Sequence, residues 1–155
     1  MRRASKILAG IMRKLQEFIK VGISTAEIDQ LARGLAHQEN ALPAFKGYKG
    51  FPANICTSLN AEIVHGIPGE RVLKEGDIIS LDFGINYEGF FSDTAITVAV
   101  GRIDSRLKKL IAVTKTALNC GIKEARVNNY LSDISYAIQN YVEKHGFSVV
   151  RQFVG

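Results

Sequence analysis

Between Asp77 and Val100 the chain alternates apolar and polar residues twice over, with a glycine-containing turn between the two runs. No other segment limits the fold as tightly. Asp77–Ile85 and Phe90–Val100 read as antiparallel strands joined through Asn86-Tyr87-Glu88-Gly89. A symmetric turn makes Ile85 face Phe90 and places Asp82 directly across from Asp93. Because strands alternate faces, those two acids share a face with Ser80, Gly84, Ala95 and Thr97, which are mostly small. The other face carries Ile79, Leu81, Phe83, Ile85, Ile96, Val98 and Val100. One face is therefore core, and the other is a shallow floor with two carboxylates at its centre.

Opposed positions on neighbouring strands lie about 4.5–5.5 Å apart at Cβ, where like charges repel. Either a cation offsets that repulsion or one acid holds a proton. Two divalent ions roughly 3.5–4 Å apart, bridged by carboxylates, suit the spacing, and carboxylate oxygen is a suitable donor for Mn, Mg, Zn or Fe. The plainer reading is two surface aspartates, each paired with a lysine or capping a turn. A one-residue shift in the turn would also part the acids. Spacing alone leaves both readings open.

Around this hairpin the period changes. Residues 5 to 20 place Ile7, Leu8, Ile11, Met12, Leu15, Phe18 and Ile19 at helical spacing, with Gly22 able to end the helix. Ser24-Thr25-Ala26-Glu27 is a capping box that opens a second helix, ending near Asn40. From Leu42 onward, glycine and proline punctuate short β-type runs at Asn54–Ser58 and Ile63–Val64. A third helix starts around Asp104-Ser105 and a fourth runs from Leu131 to Lys144; Gly146 closes it, and Phe147–Val154 reads as a strand. The later round of helices and strand resembles the first without its hairpin. With no linker or low-complexity stretch, residues 1–155 read as a single α+β domain.

The composition is that of an ordinary globular chain: 46% hydrophobic and 23% charged. Cys56 and Cys120 lack metal-type spacing, which favours a reducing compartment. The apolar run from Ile7 to Met12 is cut off by Arg13 and Lys14, too soon for a signal peptide or a membrane span, so a cytoplasmic protein without membrane contact is expected. The formal charge of +5 is spread in small clusters at Arg2-Arg3-Lys6, Arg13-Lys14 and Lys108-Lys109. A solvated surface explains it most simply; weak affinity for an RNA-rich surface is the sharper reading, and no nucleic-acid motif accompanies it.

Two further groups invite chemistry. His65, in Val64-His65-Gly66-Ile67-Pro68-Gly69, ends a short run just before a tight turn, where it either caps the turn or reaches a substrate amide. Phe45, Tyr48 and Phe51 recur at every third position with Cys56 after them, a loop that lines an apolar pocket or packs on its own domain. His37 and His145 are weaker candidates; His145 sits before the helix-ending Gly146, where the helix dipole favours it.

Together, several stretches resemble type I methionine aminopeptidases. They are Gly47-Tyr48-Lys49-Gly50-Phe51-Pro52, Asn60-Ala61-Glu62-Ile63-Val64-His65-Gly66-Ile67-Pro68, Leu73-Lys74-Glu75-Gly76-Asp77-Ile78, the Asp82 and Asp93 pair, and Gly146-Phe147-Ser148-Val149-Val150-Arg151. The resemblance covers essentially the whole chain. It implies half of a pita-bread (creatinase/aminopeptidase-like) fold, an antiparallel sheet with two pairs of helices on one side. It implies two divalent metal ions (Co, Mn, Fe or Zn), with Asp82 and Asp93 as metal ligands and His65 as the catalytic, substrate-contacting histidine. Tyr48, Phe51 and Cys56, with Phe45 beside them, would line the pocket for methionine. The implied reaction removes the N-terminal methionine of nascent proteins with a dimetal-activated water, and the implied partners are N-terminal methionine peptides and the ribosome. In the family a Gly-His-Gly motif and two later glutamates complete the donor set. This sequence stops at Gly155, so the resemblance implies an amino-terminal portion with an exposed apolar edge and weak or no activity by itself. A non-catalytic pita-bread relative that binds peptides or partner proteins is the alternative.

Overall fold

Helix α1, Arg2–Phe18, buries Ala4, Leu8, Ile11, Met12 and Leu15. These recur every three or four residues and so form a single stripe facing the core. The chain turns through Gly22 (φ 94°) into helix α2, Thr25–Gln38. The capping box is present: Glu27 N donates to Ser24 Oγ at 3.2 Å, and Ser24 N donates to Glu27 Oε2 at 2.7 Å. Two orphan amides at the helix start are satisfied in this way. Asn40, left-handed at φ 54°, follows the helix end. This computed structural model describes residues 1–152 and divides into two compact units, Met1–Ile103 and a second beginning at Asp104.

In the first unit the sheet centres on β3, Ile78–Tyr87. Strand β4, Phe90–Ala99, pairs antiparallel along its whole length. The other edge of β3 is shared by β2, Cys56–Leu59, and the two-residue β1, Leu42–Pro43. Ile79, Leu81, Phe83 and Ile85 of β3 are fully buried in one apolar core with the inner stripes of α1 and α2. Val100 joins them, and Ile96 and Val98 are half-buried against the same cluster. The predicted division of the hairpin into core face and floor is therefore observed.

Two local expectations differ from the structure. Ile63–Val64 is not a strand: Asn60 turns left-handed at φ 55° and ends β2, and both apolar residues lie exposed in the following loop. The strand expected at Phe147–Val154 is absent over residues 147–152, and its last residues fall outside the described part. The second unit contains helix α3, Ser105–Glu124, and helix α4, Leu131–Lys144. Phe147 and Val149 pack onto its small core of Val113, Ala117 and Val142, and its described residues hold no strand with which a ladder could form. Gly121 permits the close helix approach, since a Cβ there would stand 2.8 Å from Ile138. Among the described residues no helix is long and apolar enough to cross a membrane.

Phe83 is the largest fully buried side chain. Phe83→Ala is expected to cost about 3–5 kcal/mol in urea unfolding; a loss under about 1 kcal/mol would contradict this account of the core.

Candidate metal and substrate site

The hairpin register places Asp82 opposite Ala95 and Asp93 opposite Gly84, so the two acids are diagonal neighbours and not directly opposed as the symmetric turn predicted. The turn itself is the cause. Tyr87 faces Phe90 across a two-residue loop in which Glu88 (φ 52°) and Gly89 (φ 81°) are both left-handed, the geometry that matches strand twist in tight hairpins. Asn86 Oδ1 accepts the Gly89 N–H at 3.0 Å and fixes that loop. The shift amounts to two residues, which preserves faces. Asp82 and Asp93 accordingly still share the floor.

Strand β2 extends this floor. Cys56 pairs with Asp82, so thiol, carboxylate and Ala95 form one row across three strands. In the next row Gly84 leaves room for an aromatic ring: a Cβ there would meet Phe45 Cε1 at 2.5 Å. The Phe45 segment is held in place because Ala44 N donates to the Gly84 carbonyl at 2.9 Å. Beyond it the chain coils tightly, with Tyr48 N donating to Phe45 O at 3.0 Å and Gly47 N to Phe51 O at 2.9 Å. Gly47, Lys49 and Gly50 all have positive φ (84°, 47° and 81°). Glycine adopts this at little cost, whereas Lys49 is strained by about 1–2 kcal/mol.

The histidine loop is clamped onto β2. Glu62 accepts the Leu59 N–H at 2.9 Å and two Arg71 N–H groups at 2.6 and 2.9 Å. The Arg71 bonds hold the Glu62 carboxyl below its ordinary range. Gly66 lies flat on β2: Thr57 N donates to Gly66 O at 2.8 Å, and Gly66 N donates to Ser58 Oγ at 3.1 Å. Any Cβ at Gly66 would collide with the Thr57 carbonyl. This docking leaves His65 left-handed at φ 59° and exposed at the rim. Its role in the turn is thus backbone strain; its side chain is free to serve the cavity.

All seven residues singled out from the sequence line one cavity of about 560 Å³: Phe45, Tyr48, Phe51, Cys56, His65, Asp82 and Asp93. Lys49, Gly50, Pro52 and Ile67 complete the lining. Lys49 and Ile67 carried no individual signal, although both stand inside the segments that carry the resemblance. His37 and His145 lie elsewhere. His145 caps α4, its Nδ1 2.7 Å from the Tyr141 carbonyl.

The floor is electrostatically tense. Burial, then the charge of Asp93, pushes the Asp82 carboxyl up from its ordinary 3.8 to about 6, with His65 pulling the other way. Burial, then the Asp82 and Asp93 charges, pushes the Cys56 thiol up to about 11, so it stays protonated at neutral pH. Among the described residues the ion pair within 4 Å joins Arg71 to Glu62; no lysine or arginine neutralises Asp82 or Asp93. Two uncompensated carboxylates on an open floor fit a divalent cation. They do not form a cage by themselves, since no group of three or more potential ligands gathers among the described residues.

Comparison with known proteins decides the family. The pattern of metallopeptidase family M24 matches residues 1–155. The chain belongs to that family. Methionine aminopeptidase 1 of Bacillus subtilis is 51% identical over 155 residues, covering 100% of this chain and 62% of that protein. The methionine aminopeptidase of Clostridium acetobutylicum is 49% identical over 156 residues, again covering 62% of its own length. The M24 chain thus spans about three fifths of these curated relatives. The crystal structure of methionine aminopeptidase from Rickettsia prowazekii superposes with a TM-score of 0.96 at 39% identity, over 98% of this chain and 61% of that one. The prolidase of Pyrococcus furiosus, at 18% identity and a TM-score of 0.81, shares the fold alone. The expected α+β pita-bread architecture is the one these structures display.

Asp82 is more easily protonated in the folded chain than in the unfolded one. In metal-free protein its stabilising contribution is therefore full below pH 3.8 and lost as the pH rises through about 6. Asp82→Asn is accordingly expected to raise the melting temperature at pH 8 and to leave it nearly unchanged at acidic pH. An equal effect at both would contradict the strained carboxylate.

Proposed function

We propose that this chain forms part of a metalloaminopeptidase that removes the N-terminal methionine from peptides and newly made proteins. The observation that carries this reading is the single cavity in which the Asp82 and Asp93 carboxylates meet an aromatic wall and His65. Similarity to methionine aminopeptidases along the full chain supports it.

Each residue has a chemical task in this reading. Asp82 and Asp93 supply oxygen donors to two divalent ions of the Co, Mn, Fe or Zn class, with further donors coming from outside this pair. Such ions, when bound, polarise a scissile carbonyl and ease the deprotonation of water. Phe45, Tyr48 and Phe51 exclude water and offer polarisable surface to a thioether side chain. Cys56, kept as a thiol, adds a small apolar contact beside Asp82. His65 is placed at the rim to hydrogen-bond the amide being cleaved and to hold or move its proton. A non-catalytic peptide binder would have no need of two unneutralised carboxylates beneath the aromatic wall.

The test combines Mn²⁺ binding by calorimetry with methionine release from a Met-Gly-Met peptide in Mn or Co. Asp82→Asn and Asp93→Asn are each expected to weaken Mn²⁺ binding by about tenfold or more, and any methionine release should disappear with it. Unchanged Mn²⁺ affinity, or metal-dependent release that survives Asp82→Asn, would contradict the assignment.

A further inference from the structure

Helix α2 supplies no side chain to the cavity, yet one face of it holds both loops that do. Thr25 and Asp29 stand four residues apart and so lie one above the other on the helix. Thr25 is fully buried and Asp29 half-buried. Asp29 serves the aromatic loop. Its Oδ1 accepts the Asn54 N–H at 2.7 Å and the Ile55 N–H at 3.2 Å, while Oδ2 accepts the Asn54 side-chain amide at 2.6 Å. Thr25 serves the histidine turn. Its Oγ1 donates to the Gly69 carbonyl and accepts the Gly69 N–H, both at 2.9 Å. The backbone adds to this grip: Thr25 N donates to Arg71 O and Ala26 N to Gly69 O, each at 2.9 Å. Those two amides belong to the first turn of the helix, where no intrahelical partner exists.

The aromatic loop has few other ties. Ala44 N on the Gly84 carbonyl holds its start. Among the described residues, the backbone hydrogen bonds made from Phe45 to Ala53 join members of that loop only. Asp29 is therefore the anchor of its far end, just before Cys56 enters the sheet. Asn54 and Ile55 are buried, so removing the carboxylate would leave three buried N–H donors without a partner.

We infer that Thr25 and Asp29 are positioning residues, which set where the aromatic loop and the His65 turn stand about the cavity. The inference rests on the reading of that cavity as a methionine site. Placement of this kind matters because a shift of about 1 Å can cost on the order of 100-fold in rate. Asp82 and Asp93 are set instead by the β3–β4 ladder. Loss of an α2 anchor therefore separates binding of the methionine side chain from binding of metal, which general destabilisation would not do.

The experiment follows amide hydrogen exchange by NMR, Mn²⁺ calorimetry and titration of L-methioninamide in Mn²⁺, on the full chain and its variants. Asp29→Ala should speed exchange about tenfold or more at Gly47, Phe51, Asn54 and Ile55 while Gly69 stays protected. Thr25→Val, of nearly the same shape, should speed exchange about tenfold at Gly69 and leave Asn54 and Ile55 unchanged. In both variants methioninamide affinity should fall about fivefold or more, with Mn²⁺ affinity kept within about twofold. Asp29→Asn together with Asn54→Asp interchanges donor and acceptor, and should return methioninamide affinity to within about threefold of the original protein. Uniform acceleration of exchange across β3 and both loops would overturn the inference. So would methioninamide binding that neither variant weakens, or a swapped pair that recovers nothing. Loops that respond as expected in a protein binding neither Mn²⁺ nor methioninamide would uphold the two anchors and overturn the methionine reading instead.

Discussion

Strand β3 is hydrogen-bonded along both edges, to β4 on one side and to β2 and β1 on the other. That double pairing fixes which way each of its side chains points. Because the period of a strand is two, anchoring Ile79, Leu81, Phe83 and Ile85 in the core leaves Asp82 no choice but the open floor. The floor is then defined by its neighbours in register: Cys56 from β2, Ala95 and Asp93 from β4. Burial of four β3 side chains thus sets the position of a carboxylate that would otherwise move away from its like-charged neighbour. The energy of the core holds the strain of the site.

The walls follow from the same strand. Gly84 has no side chain, so the Phe45 ring can lie against it, and its carbonyl anchors the start of the aromatic loop. Gly66 presses onto β2 and presents His65 to the cavity. Each wall depends on a glycine in contact with the sheet, one for space under a ring and one for close backbone approach. Lys49 and His65 are the two non-glycine cavity residues with positive φ. Strain at such positions commonly marks function.

Much of this was legible in the sequence because it depends on periodicity. The alternating hairpin, the capping box at Ser24 and the four helices follow from local pattern, and faces survive small errors in register. The Asp82–Asp93 pairing differs by two residues from the symmetric register because left-handed Glu88 and Gly89 make a tighter turn. What joins the aromatic loop, the histidine turn and the acid pair into one cavity is non-local, and only the resemblance foretold it. The Ile63–Val64 run misled because β propensity cannot form a strand without a partner.

The central claim is that Asp82 and Asp93 together receive a divalent ion. The most direct measurement is Mn²⁺-induced paramagnetic broadening of carbonyl and carboxyl signals in ¹³C-labelled protein. Broadening that starts at Asp82 and Asp93 and next reaches Cys56 and Ala95, before any at Glu62, is the predicted result. Broadening spread evenly over the acids, or centred away from this floor, would contradict it.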